Sequence, residues 1–177
     1  MNASVSHLRS EMERTMAEPF PHDYELRQHL RKLLASGESH ATNTEAIDNL
    51  PTALHDRKAE GIEHTAWQML EHMRIAQADI LDFCVNPLYE ARTWPEDYWP
   101  PDDGPPSPEA WDHSRQQFFA DLESMKNLIA DKDQDLFARI PWGKGQTLLR
   151  EALLVADHNS YHLGQIILLR KALGAWN

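Results

Sequence analysis

The chain is poor in the residues that several function classes need. It has one cysteine, Cys84, which excludes an internal disulfide and fits a reducing compartment, so a cytoplasmic protein is expected. Cys84 sits among apolar neighbours, as a packed thiol does, and an activated nucleophile would want an electropositive setting instead. Basic residues are scarce: 17 Lys and Arg stand against 28 Asp and Glu, a formal net charge of -11. That balance disfavours a nucleic-acid partner and an anionic membrane surface, both of which draw on clustered cations. No apolar run approaches the roughly 20 residues that span a bilayer. The opening MNASVSHLRSEMERTMAEPF has no apolar stretch of the secretory kind. Strand-type alternation is nearly absent, and no Gly-rich strand-to-helix phosphate loop is found.

What remains is helical periodicity in a chain of 177 residues, enough for one domain with a sizeable core. Residues 1–21 are polar and interrupted by Pro19 and Pro21, and are expected to form an N-terminal extension to a domain over 22–177. Asp23 is placed to cap a first long helix with apolar positions Leu26, Leu30, Leu33 and Leu34, and Gly37 to stop it. Thr44 to Leu50 can add a helical turn or two before Pro51, and a charged, irregular stretch reaches Gly61. A second long helix is expected from about Glu63 to Val85, with Met69, Met73, Ala76, Ile80 and Phe83 on one face, ended by Asn86-Pro87. Ser107-Pro108-Glu109 has the form of a helix start, opening a third helix with Trp111, Phe118, Leu122, Met125 and Ile129 inward. Thr147 is placed to cap a fourth, which runs from Glu151 to Leu173. The expected fold is all-α: a four-helix bundle with a long Pro-rich crossover between helices 2 and 3.

That crossover, Pro87 to Pro108, holds six prolines after Pro87, yet it carries Tyr89, Trp94, Tyr98 and Trp99. It is too aromatic for a free linker. An aromatic belt laid over the bundle and a lid over a pocket both account for it.

The chemistry-bearing residues are histidines. His158 and His162 are four apart in the last helix, on the stripe that contains Val155, Ile166 and Leu169. With ten histidines in the chain, about 0.5 such pairs arise by chance, so the spacing alone says little. Placement on an inward face says more, because a buried imidazole needs a partner: backbone, carboxylate, water or a divalent metal. A metal site would need a third ligand from another helix. His72 lies about 60° from the centre of the second helix's apolar stripe at ~100° per residue, and is the best placed. His64, at the start of that helix, is expected to cap or pack there. His7, His22, His29, His40, His55 and His113 lie in polar or terminal settings and are given no role. Gln165, three positions after His162, could face a bound water or substrate. Glu151, seven before His158, could carry protons or sit at the bundle end on the surface, the position favoured for it. Tyr161 is a further candidate contact; Asp157 is one too, though its side chain should point elsewhere on the helix.

At these residues the chain resembles the DinB/YfiT-like superfamily of metalloenzymes. The matching pieces are WQMLEHMRIAQADILDF (Trp67 to Phe83) and DHNSYHLGQIILLRKALGAW (Asp157 to Trp176). The resemblance implies a four-helix bundle with a divalent ion, often nickel or zinc, held by three histidines: here His72, His158 and His162. It implies a small-molecule substrate, with low-molecular-weight thiols as co-substrates of some members, and frequent homodimers. An ion held by three neutral imidazoles keeps its charge and an open position, where a water or thiol loses its proton more easily. S-transfer and hydrolysis are therefore both open. So is a non-catalytic stress-response or metal-binding protein whose metal is structural or absent.

Overall fold

The structure, a computed structural model, describes residues 23–176. The expected extension over 1–21 lies outside the described residues. Within them the chain is all-α: α1 is Asp23–Ala35, α2 Asn43–Ile47, α3 Ala66–Val85, α4 Ala110–Ala130 and α5 Leu148–Ala172. Two isolated bridges, Ser36 with Thr42 and Arg139 with Thr147, are the extended pairings among these residues.

Local chemistry sets most of the boundaries. Thr42 and Glu45 form a capping box on α2, and Thr65 and Gln68 form one on α3. The Thr147 hydroxyl accepts from the Arg150 N–H, so α5 starts where its cap was expected. At the other end Ala175 N–H reaches Arg170 O at 2.7 Å and Gly174 N–H reaches Lys171 O at 3.1 Å. Gly174 has φ +70 there, the left-handed turn that closes a helix by satisfying its last carbonyls. One start differs from expectation. Ala110 N–H first closes a turn onto Ser107 O, so α4 begins at Ala110 with no side-chain cap, and Pro108 lies ahead of it. Asp23, the first described residue of α1, has a carboxylate that accepts from Arg27 Nε at 2.6 Å.

The long helices pack pairwise: α3 against α4 and α5, and α1 against the same two. Between them Leu70, Met73, Phe118, Met125, Ile129 and Ile166 are fully buried. A side chain of this kind contributes about 1.5–3 kcal/mol when taken wholly out of water. Two arginines are buried with them, which hydropathy patterning does not anticipate. Arg27 donates to the carbonyls of Ile129, Asp131 and Gln134, where α4 ends. Arg170 donates to the carbonyls of Glu45, Ala46 and Asp48, closing α2, and to Ala175 O. Each fixes a helix end that would otherwise leave carbonyls bare.

Residues between α3 and α4 lie against the rest of the fold. The single turn Glu96–Tyr98 packs on α3. No helix among the described residues is long and apolar enough to cross a membrane.

Candidate metal centre

Three histidines from two helices meet. One ring nitrogen each from His72 on α3 and His158 and His162 on α5 lies within 4.8 Å of the others. The Nε2 atoms of His72 and His158 are 3.1 Å apart. Two imidazole nitrogens sharing one ion at bond lengths of 2.0–2.1 Å stand about 3 Å apart, so the pair already has the spacing a divalent ion needs. His72 and His162 are buried and His158 is half-buried. His72 goes deeper than its angular position, at the edge of the stripe, suggests.

Neighbours decide which nitrogen carries the proton. His72 Nδ1 lies 2.9 Å from the Tyr98 carbonyl oxygen. A carbonyl only accepts, so Nδ1 donates and Nε2 keeps a bare lone pair in the neutral ring. His162 Nδ1 faces Gln165 Oε1 at 2.7 Å, which turns its Nε2 into a lone-pair donor by the same logic. Without an ion, the short contact to His72 is satisfied when His158 donates from Nε2. The Trp99 ring stacks on His72 at 3.9 Å and 2° and on His64 at 4.1 Å, clamping the ligand ring in plane. His64 thus packs near the start of α3, as expected.

Burial holds all three rings neutral. It pushes His158 and His162 down to about 4, with the neighbouring imidazoles adding to the shift. Burial lowers His72 as well, against the opposing pull of the Tyr98 carbonyl. Protons therefore compete little for these nitrogens at neutral pH. The linkage has a definite sign. Unfolded, each ring titrates near 6.5; folded, His158 and His162 resist protonation until about 4. Metal-free stability is expected to be level above about pH 6.5 and to fall as pH drops from there through 4. Urea melts of metal-free protein between pH 7.5 and 4.5 check this, and in His158→Ala the slope should flatten. An unchanged slope would show that the ring at 158 is not held neutral by the fold.

The histidines open onto a cavity of about 750 Å³. Ile80, Phe83, Leu154 and Trp142 give it an apolar side. Asp79 forms a polar wall, accepting from the hydroxyls of Tyr98 at 2.7 Å and Tyr89 at 3.2 Å, with Arg92 at 3.6 Å. Burial and this carboxylate raise both phenols, Tyr89 to about 12, and keep them protonated as donors. A second cavity of about 500 Å³ reaches the same cluster from the side of His64 and Trp99; His72, Trp94, Tyr161 and His162 line both.

The other candidates divide. Gln165 is close to the centre, but it orients His162. Tyr161 is exposed, and its ring meets His162 edge-on at 4.9 Å. Asp157 is exposed on the outer face, pointing away as expected. Glu151 corrects the surface position favoured for it: it is 2% exposed, and Arg150 Nη1 reaches both its oxygens at 2.8 and 3.0 Å. Seven residues of helix put it about 10 Å along α5 from His158, on the cavity floor and out of direct reach of the cluster. His55 was placed in polar surroundings, but it is buried and stacked on Trp111 at 3.8 Å. The Cys84 thiol is pushed up to about 12 by burial, with Glu151 adding to the shift, and is inert at neutral pH. Sequence reasoning missed the Tyr98 carbonyl and the Trp99 clamp. The density of aromatics among prolines was the one signal that pointed to that segment.

Comparison with known families agrees with the geometry. The model of the DinB superfamily matches residues 37–166, which include all three histidines and run from before α2 into α5. The chain belongs to the DinB superfamily. No curated protein and no solved structure matches it. Membership of the DinB superfamily and the three-histidine group are together compatible with a metal site. The match stops short of the last turn of α5 and takes in the whole aromatic segment that holds His72.

Proposed function

We propose that this DinB-superfamily protein is a divalent-metal-dependent enzyme acting on a small molecule, with His72, His158 and His162 as the ligands. Nickel or zinc is the ion that this donor set suits, and S-transfer with a low-molecular-weight thiol or hydrolysis is the reaction. The observation that carries this is the convergence of three neutral imidazoles from two helices in the lining of a cavity of about 750 Å³. A structural site closes its coordination with a fourth protein ligand. Among the described residues the group has three members, which favours a position left for substrate.

A divalent ion held there supplies charge that lowers the pKa of a coordinated water or thiol. The rest falls to the chain. The Tyr98 carbonyl and Gln165 set the ligand tautomers, and Trp99 fixes the plane of His72. Trp94 and Tyr161 stand where both cavities meet the cluster and restrict what approaches it. The same reading takes α1, α3, α4 and α5 as the superfamily's four-helix bundle, with the segment from Asn86 to Glu109 as its crossover. It takes the protein as cytoplasmic and admits a homodimer through apolar side chains exposed on α5, Leu153 among them. Trp176 lies beneath the Arg170 guanidinium at 5.2 Å.

The test uses protein purified without a histidine tag and loaded with cobalt or nickel. Thiols from a small panel should bring up a sulfur-to-metal absorption band, and one should support transfer to an electrophile. A spectrum that no thiol perturbs would end the transferase reading and leave hydrolysis, assayed on ester and amide panels.

A further inference from the structure

The charges lining the larger cavity are two acidic and two basic, but they are not paired one to one. Four charged side chains face it: Asp79, Lys144, Arg150 and Glu151. Arg150 is committed to Glu151 through both carboxylate oxygens. Asp79 is committed to two tyrosine hydroxyls and has Arg92 beside it. Lys144 has no carboxylate within ion-pair distance among the described residues, and the imidazoles opposite are neutral. Lys144 is exposed where it lines the cavity, so its ammonium is free to meet an anionic group whose apolar body lies along the cavity's apolar side.

Lys144 is also held in place. Trp142 Nε1 donates to Phe83 O at 2.7 Å, which pins the loop to the end of α3. Gly143 presses against the Phe83 ring so closely that a Cβ would lie 2.9 Å from Cζ. The Lys144 N–H is taken by Gln146 Oε1, and Gly145 turns the chain with φ +116. The backbone under this lysine is thus set before any ligand arrives, so only the lysine side chain has to be ordered on binding.

We propose that the larger cavity takes a ligand with one anionic group, of the carboxylate or phosphate class, held by Lys144, while an apolar body lies along Phe83 and Leu154 toward the histidines. From Arg150 to His158, both in the cavity lining, the α5 axis rises about 12 Å, so a molecule of roughly that length spans this part of the cavity. The inference adds a substrate class to the function proposed above and rests on the same cavity, but not on an ion being bound.

Binding of octanoate and of octan-1-ol to metal-free protein at pH 7.5 tests it, by calorimetry and by the fluorescence of Trp94 and Trp142. Octanoate is expected to bind about five- to tenfold more tightly than the alcohol. The ratio should fall to about one in Lys144→Gln and invert in Lys144→Glu, with melting temperatures unchanged. Equal affinities in the wild type, or a carboxylate preference that survives Lys144→Gln, overturns the proposal. Metal content measured on the same preparation keeps the two readings apart: wild type that binds no metal but prefers octanoate would sink the metalloenzyme and leave the anion site standing.

Discussion

Metal content should drop from about one ion per chain to near zero in His162→Ala, with affinity falling by at least ~100-fold. Displacing a group that merely orients a ligand already costs 10–100-fold, and removing the ligand itself costs more. The fold should survive. His162 is buried among polar and aromatic neighbours and lines a cavity, so its loss opens space that solvent can enter. The expected change in melting temperature of metal-free protein is a few degrees at most. Full metal content in this variant would remove His162 from the site. Loss of the fold along with the metal would make the ion a structural one.

The second large effect is on stability. Arg170→Met keeps much of the side-chain volume and removes the guanidinium, stranding the carbonyls of Glu45, Ala46 and Asp48. A buried carbonyl left without its donor costs about 1–3 kcal/mol, so about 3–5 kcal/mol is expected from the three together. For a chain of this size that lowers the melting temperature on the order of 10 °C. The metal centre should be untouched at low temperature, because Arg170 lies eight residues beyond His162, about 12 Å along the helix axis. Urea denaturation and metal analysis on the same sample separate the two. A variant as stable as wild type would mean that water reaches those carbonyls once the arginine is gone.

How far the sequence reaches depends on whether an interaction repeats. Helical periodicity marked α1, α3, α4 and α5 because every turn repeats the same burial, and it put His158 and His162 inward for the same reason. His72 was placed by angle alone, and the structure sets it deeper, because Trp99 covers the side that the angle left open. Glu151 shows the opposite failure. A carboxylate on an apolar stripe near a helix start reads as surface, yet the neighbouring Arg150 neutralises it and allows burial. Arg27 and Arg170 were invisible because their partners are main-chain carbonyls more than a hundred residues distant in sequence. The start of α4 was misplaced for a smaller reason: a closed turn at Ser107 competes with the helix for the same residues.

The acceptor that orients His72 is a main-chain oxygen of residue 98. A side-chain scan through this stretch can delete the hydroxyl that Asp79 accepts from, or the Trp99 ring that covers His72, but it cannot delete that oxygen. The ligand's tautomer depends on the route of the backbone, so insertions and deletions that shift its path should disturb metal affinity more than Tyr98→Phe does.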